Sequence, residues 1–440
     1  VGRERKMDFI QIAILPIALI LFGYLAFQKW SALILGPLLS ILVALVAGLP
    51  LFETMLGPYM ETAAGYVKNY FLIFFVGAVF GSVMEETGAA KALAHWMAGW
   101  TKGKFVAPLV MTITGLLTYG GISGFVIFFA MYPIALHLFR EANLSRRLIP
   151  AAISAGCWTW SMNGPGTPAI QNIIPMRALG TSPIADPIGG AVAVIIQFAL
   201  IFAYLEWQGK AFQKKGHYFV EDEHVKKFTQ ALGEDAQLPN PYLAAIPPIL
   251  ILILFNVVRM PVEGAVLAGI LTAIVLFRNY GGDYQEWVGI LNRGAMNSAP
   301  AILNTAIVVG FAGVVRGTVG FERIIGMLQN LQMPPLLFVA ITAAVAAGAA
   351  GSASGGLGVA YAALGSTYAS LGVPMGWVHR VSVIAAGTLD TLPHQGAQIT
   401  LLSICHQTHR EAYWPIFVTQ IVIPVIAVLA LIVLHGIGLP

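Results

Sequence analysis

Apolar residues run along this chain in stretches of about twenty, separated by short polar segments, and a helix needs about 20 apolar residues to cross a bilayer. Ten stretches meet that length: 9–26, 28–50, 70–86, 147–172, 188–206, 241–258, 260–278, 296–317, 379–405 and 414–438, five in each half of the chain. Two further apolar stretches, 105–139 and 335–372, are interrupted midway by small residues. The first interruption reads Tyr119-Gly120-Gly121-Ile122-Ser123-Gly124 and the second runs from Gly348 to Gly356 with Ser352 and Ser354 inside it. Glycine and serine at membrane depth break a straight helix and expose backbone donors. Each is expected to form a re-entrant hairpin, the plainer alternative being two ordinary helices joined by a tight turn.

Spans 147–172 and 379–405 carry breaks of their own, Ser161-Met162-Asn163-Gly164-Pro165-Gly166-Thr167-Pro168 and Asp390-Thr391-Leu392-Pro393-His394-Gln395-Gly396-Ala397-Gln398. Proline removes a backbone donor and kinks a helix, and unwound backbone inside a membrane is tolerated where it lines a protein cavity. The expectation is therefore an all-α polytopic membrane protein with four interruptions that converge.

Landmarks recur at a nearly constant offset. Val76-Gly77 matches Val309-Gly310, Gly88 matches Gly320, Ser123-Gly124 matches Ser354-Gly355, Ala155-Gly156 matches Ala386-Gly387, and Asn163 matches His394, at separations of 231 to 233 residues. Five crossings per copy is an odd number, so the second copy would enter the membrane upside down, the arrangement found in many secondary transporters. The expected organisation is a leader (1–8), a first inverted repeat (9–206), a linker (207–240) and a second inverted repeat (241–440).

Composition agrees with a membrane origin. The chain is 58% hydrophobic and 10% charged, against about a quarter charged in soluble domains, and its mean hydropathy is +0.78. The net charge of +4 and pI near 9.0 do not point to nucleic acid, because the basic residues lie between the spans. With sides alternating at each span, fifteen of the 24 Lys and Arg residues fall on one face. The positive-inside bias makes that face cytoplasmic, with the polar linker on it and both termini periplasmic, as expected in a bacterial inner membrane. Cys157 and Cys405 imply no disulfide, and Cys405-His406-x-x-His409 is weaker than a zinc pattern, so no metal and no cofactor is expected.

The converging breaks suit an anion. Half-helix N-termini carry partial positive charge and free N–H groups. Ser123, Gly124, Ser354 and Gly355 would supply hydroxyls and close backbone, while Asn163, Gly164, Thr167, His394, Gln395, Gly396 and Gln398 would complete a site for a small organic anion. No arginine lies at a break in the sequence, so guanidinium recognition is not expected there. The alternative is that these polar groups cap one another and only stabilise the bends. Asp390 is the one acidic residue deep within a span, and His394 follows four residues on. Ionisable groups at that depth are expensive and mark function. Asp390, with His394, is expected to carry a coupled proton, the alternative being a structural aspartate held by backbone donors.

The segment Gly387 to Ala397, followed by Ile399 to Cys405 and by Thr408-His409, resembles the gluconate permease family of the ion transporter superfamily, as does the run Gly348 to Gly358 and, less specifically, Asn163 to Pro168. The resemblance extends over most of the chain from about residue 70. It implies proton symport of gluconate or a related sugar acid or hydroxy acid, with no catalytic residues. It further implies a homodimer in which a mobile unit of hairpins and broken helices moves against a scaffold, like an elevator. The stretch Cys157-Trp158-Thr159-Trp160 departs from the commonest members and leaves a smaller acid such as 3-hydroxybutyrate, or D-serine, open. Sodium-coupled carboxylate symport, a sodium/proton antiporter and an intramembrane enzyme are the competing readings. The last two would need clustered carboxylates or a catalytic pair in the membrane, for which Asp390 and His394 are the sole candidates.

Overall fold

Helix starts in this chain are written locally. Proline occupies the first turn after Asp186, Asn240, Ala245 and Pro334, where a missing N–H costs nothing. Side chains cap others: Asp283 with Glu286 and Thr408 with Glu411 form reciprocal capping boxes, and Ser352 accepts from the Gly355 N–H. In the computed structural model the described residues are 2–28, 30, 32–89, 92, 93, 96, 99, 104–121, 124–221, 238–321, 323, 333–393, 395, 397, 398, 401, 402 and 405–438.

The principal helices are α1 (Gly2–Phe27), α2 (Ala32–Val46), α3 (Met60–Glu86), α4 (Val106–Tyr119), α5 (Gly124–Glu141), α6 (Ile149–Trp158), α7 (Ile170–Leu179) and α8 (Pro187–Lys214). After the linker come α9 (Ile246–Asn256), α10 (Val262–Leu276), α11 (Tyr284–Arg316), α12 (Pro335–Ala350), α13 (Ala353–Ser370), α14 (Met375–Leu389), α15 (His409–Phe417) and α16 (Ile423–Gly436). A π turn at Met55–Tyr59 leads into α3, and another at Val418–Val422 joins α15 to α16. Three segments among the described residues, Leu51–Met84, Pro187–Lys214 and His409–Gly436, are long and apolar enough to cross a bilayer. The architecture is an all-α, multi-spanning bundle.

The order of elements is the same in both halves, and the packing between halves is reciprocal. Helix α2 lies on α11 while α10 lies on α3; α3 packs on α5 while α11 packs on α13. The long pair α3 and α11 runs antiparallel. Thr62, near the start of α3, accepts from Arg316 at the end of α11 (3.0 Å), and Tyr59 and Pro58 lie against Gly310 and Gly313. At the other end Val79 and Ser82 meet Gly294, and Glu86 pairs with Arg293.

Both interrupted stretches form helix pairs, α4 with α5 and α12 with α13. Between α12 and α13 the turn uses Gly351 at φ 57°, a left-handed conformation that glycine adopts without strain. The pair then closes tightly: a Cβ on Gly356 would lie 2.1 Å from the Cα of Ala347. Further from the turn, Thr342 and Tyr368 hydroxyls are 2.7 Å apart.

Several expected spans differ in extent, the one placed at 296–317 beginning twelve residues earlier at Tyr284. The span placed at 70–86 begins ten residues earlier, because Glu61, Lys68 and Asn69 interrupt the apolar pattern without interrupting the helix. In the one placed at 379–405, α14 ends at Leu389, the expected break follows, and among the described residues Ala397, Gln398, Leu401 and Leu402 are helical again. Each half's apolar core takes in pieces of the other half. The core around α4–α6 includes Leu401, Cys405, Ala412 and Ile416, and the core around α12–α14 includes Met162, Ile174 and Ala193. Gly356→Ala is expected to force the α12–α13 pair apart and lower stability by about 1–3 kcal/mol, read as a lower melting temperature of the detergent-purified protein.

Candidate functional site

The first break begins where α6 stops. Thr159 adopts φ −119°, ψ −115°, a single turn follows at Trp160–Asn163, and the chain then turns at Gly164–Thr167, with Gly166 at φ 84°, before α7. Buried backbone freed in this way needs partners. The Asn163 carbonyl accepts from the Arg380 guanidinium at 2.5 Å, and the same side chain donates to the Ala185 carbonyl at 2.7 Å. Asn172 donates to the carbonyls of Thr167 and Pro183, both at 3.0 Å, while its Oδ1 accepts from His379 Nε2 at 2.8 Å. His379 Nδ1 lies 2.7 Å from the Thr181 hydroxyl. Tyr119 donates to the Pro165 carbonyl. The Asn163 side chain forms a two-way amide pair with Gln197 of α8, at 3.2 Å in each direction. Thr167 Oγ1 accepts from the Ala169 N–H at 3.3 Å, and Gly164 packs between Tyr119 and Val194.

The second break begins at Asp390, directly after α14. Its carboxylate accepts from the Ala353 N–H (3.1 Å), Gln395 Nε2 (3.0 Å) and the Thr391 hydroxyl (3.1 Å). Ala353 is the first residue of α13, so the carboxylate sits at that helix's N-terminus, where negative charge is favoured. Ser354, one residue on, lies 2.8 Å from the Tyr66 hydroxyl of α3 and 3.2 Å from Ser352 Oγ. Gly355 packs against Val309 of α11. Gln398 donates to Gln420 Oε1 (2.8 Å), and Gln420 Nε2 reaches Ser154 Oγ of α6 (2.6 Å). The π turn at Val418–Val422 aims Gln420 inward, a use of irregular helix common at functional sites. Two buried acceptors, Gln395 Oε1 and Gln398 Oε1, have no hydrogen-bond partner among the described residues.

The two breaks adjoin. A Cβ on Gly387, one turn before Asp390, would lie 3.0 Å from Met162 and 3.7 Å from the Trp158 carbonyl. The start of α5 reaches the same place: a Cβ on Gly124 would lie 3.0 Å from the Trp158 indole nitrogen, and Phe128 packs edge-on against that ring. Of the residues singled out in the sequence, Asp390, Ser354, Gly355, Gln395 and Gln398 form one connected network. Gly124, Asn163, Gly164 and Thr167 surround the neighbouring break. Ser123, His394 and Gly396 lie outside the described residues.

One expectation is corrected. An arginine does meet a break: Arg380 is 0% exposed and holds the Asn163 carbonyl from 217 positions away. Neighbourhood in sequence could not reveal it. Sequence reading also passed over Asn172, Gln197, His379 and Gln420, polar residues embedded in apolar stretches, which was the available signal. Among the described residues no group of His, Cys, Asp and Glu could hold a metal ion.

No protein-family model matches the chain. It is 30% identical to the uncharacterized transporter YxjC of Bacillus subtilis over an alignment of 475 residues covering 97% of this chain and 99% of that protein. An uncharacterized permease of Haemophilus influenzae is 22% identical, with 71% of this chain and 68% of that protein covered. Among solved structures, the fold is similar to that of the Alcanivorax borkumensis YdaH transporter, with a TM-score of 0.58 at 14% identity, covering 87% of this chain and 89% of that one. Apolar helices, fold and relatives together define a polytopic membrane protein of the secondary-transporter kind, not an enzyme. The chain belongs to the same family as the Bacillus subtilis transporter YxjC.

Arg380→Met removes the donors to two buried carbonyls, each bond involving a charged group, and is expected to lower stability by on the order of 3 kcal/mol. Denaturant or thermal unfolding in detergent checks it, and Arg380→Lys is expected to recover only part of the loss because a single ammonium cannot reach both carbonyls in the same fork.

Proposed function

We propose that this protein imports gluconate or a related sugar acid or hydroxy acid across the bacterial inner membrane by proton symport. The observation that carries the reading is the Asp390 carboxylate, 3% exposed, bonded both to its own break and to the first N–H of α13. A buried ionisable group that ties a helix tip to an unwound segment is suited to coupling protonation to movement. Ser354, Gly355, Gln395, Gln398, Asn163, Gly164, Thr167 and Gly124, with Ser123, His394 and Gly396, are the proposed substrate shell. A smaller acid such as 3-hydroxybutyrate, or D-serine, fits the same chemistry.

Alternating access is assigned to two inverted repeats, 9–206 and 241–440, flanking a cytoplasmic linker at 207–240. The antiparallel packing of α3 on α11 and the reciprocal contacts of α2 and α10 support that symmetry. In this reading the pairs α4–α5 and α12–α13 are re-entrant hairpins, which with the broken helices form a mobile elevator unit. The scaffold is dimeric and both termini face the periplasm. The resemblance of Gly387 to Cys405 to gluconate permeases supports the substrate class. A second reading, sodium-coupled carboxylate symport, is favoured by the unpartnered oxygens of Gln395 and Gln398 beside Asp390, acceptors that a cation would satisfy.

Proteoliposome uptake across a panel of sugar acids and hydroxy acids, with imposed pH or sodium gradients, separates the readings. Substrate-driven alkalinisation without sodium is expected. Asp390→Asn is expected to abolish accumulation against a gradient driven by ΔpH, and unchanged pH-driven accumulation by that variant removes Asp390 from the coupling role.

A further inference from the structure

The N-terminus of α13 is the kind of place where a substrate carboxylate would dock, and it is already taken by a carboxylate of the protein itself. Asp390 Oδ2 accepts from Ala353 N (3.1 Å) and Gln395 Nε2 (3.0 Å), and Oδ1 accepts from Thr391 Oγ1 (3.1 Å). Ala353 N and Gln395 Nε2 can only donate, so Oδ2 carries no hydrogen in this arrangement, which suits the ionised carboxylate. Gln395 is 6% exposed, and its other amide atom, Oε1, has no partner among the described residues. A half-used amide beside an anion is an acceptor waiting for a hydrogen.

We propose that Asp390 is a tethered stand-in for the substrate carboxylate. In the empty carrier it neutralises the α13 N-terminus. When Oδ2 takes a proton from water, it can no longer accept from both Ala353 and Gln395. The Gln395 amide turns about its soft terminal torsion, Oε1 accepts the new O–H, and the Ala353 N–H is left facing a neutral hydroxyl oxygen, a weaker acceptor than an ionised carboxylate. The substrate carboxylate then accepts that N–H in place of Asp390. Two ionised carboxylates sharing one donor set repel each other, which is why paired acids hold a proton between them. Anion binding without protonation is thereby disfavoured, and so is protonation without an anion to replace the lost charge. One proton accompanies each carboxylate, and a monoanion crosses with no net charge.

Among the described residues, the groups that face the Asp390 break from the surrounding elements are hydroxyls and amides, together with His409 of α15, which bonds the Pro393 backbone. On α15 the Tyr413 hydroxyl donates to the Thr391 carbonyl at 3.1 Å, and on α3 Tyr66 reaches the site through Ser354. Gln420 from the π turn and Ser154 from α6 complete the shell. Among the described residues no Lys, Arg or His is bonded to Asp390; His379 and Arg380 are committed to the other break.

The inference rests on the reading of the protein as a proton-coupled carboxylate carrier, and the test separates the two. Titration calorimetry of the purified protein with gluconate and with 3-hydroxybutyrate, in buffers of different ionisation enthalpy at neutral pH, counts protons taken up on binding. The expected result is one proton per carboxylate for the wild type and none for Asp390→Asn. In proteoliposomes, wild-type uptake should respond to an imposed pH gradient and not to a potassium-diffusion potential, a measurement that needs no variant to fold. Carboxylate binding by the wild type with no proton uptake overturns the stand-in while leaving carboxylate transport in place, and so does equal proton uptake by wild type and Asp390→Asn. Proton-coupled uptake of the monoanion that a potential alone can drive overturns it as well. Binding of no carboxylate in either assay overturns the carrier reading and this inference with it.

Discussion

A bilayer offers no water to backbone groups, so a chain that unwinds inside one must complete each opened N–H and C=O with another part of itself. That constraint explains the placement of the buried polar residues in this protein. Asn163 to Ala169 leaves carbonyls exposed, and Arg380, Asn172 and Tyr119 meet them. The tip at Ser352 to Gly355 leaves N–H groups exposed, and Asp390 and Ser352 meet those. A break rich in free acceptors is served by a cation, and a tip rich in free donors by an anion.

Both charges come from one stretch of chain. Arg380 lies in the first half of α14 and Asp390 is its C-terminal cap. With respect to α14's own dipole an acid at the C-terminus is misplaced, at a cost of about 0.3–1 kcal/mol in exposed helices. The same carboxylate is well placed with respect to α13, whose N-terminus it occupies. Helix α14 thus joins the two breaks mechanically: a displacement of it moves the partner of one break and the partner of the hairpin tip together. Gln197 and Gln420 play matching parts at corresponding places in the last long helix of each half. Each is fully buried, and each bonds the break of its own half.

The membrane class, the sites of helix interruption and the buried position of Asp390 at one of them were legible because glycine, proline and charge are conspicuous against an apolar background. The repeated element order was foreshadowed by the constant offset between glycine landmarks. Helix limits were less legible where polarity and helicity diverge, as at Glu61 to Asn69, which are helical yet polar enough to hide it. Arg380 shows the deeper limit. Whether a break is met by a guanidinium depends on which distant helix packs beside it, and no local pattern around Asn163 encodes α14. The cores that cross between halves, such as Cys405 and Ile416 joining α4–α6, belong to the same category.

The two tips differ in the force that holds them. Gly124 is wedged against the Trp158 indole, and Phe128 extends that contact into a ring pair, so among the described residues the start of α5 rests on shape and dispersion. The second rests on hydrogen bonds to the Asp390 carboxyl group and on a hydroxyl pair, Ser354 with Tyr66. Apolar packing is indifferent to protons, whereas a bond whose acceptor can be protonated is not. The difference between the halves lies in a single side chain: the position corresponding to Asp390 in the first half is Thr159, which bends the backbone but carries no charge.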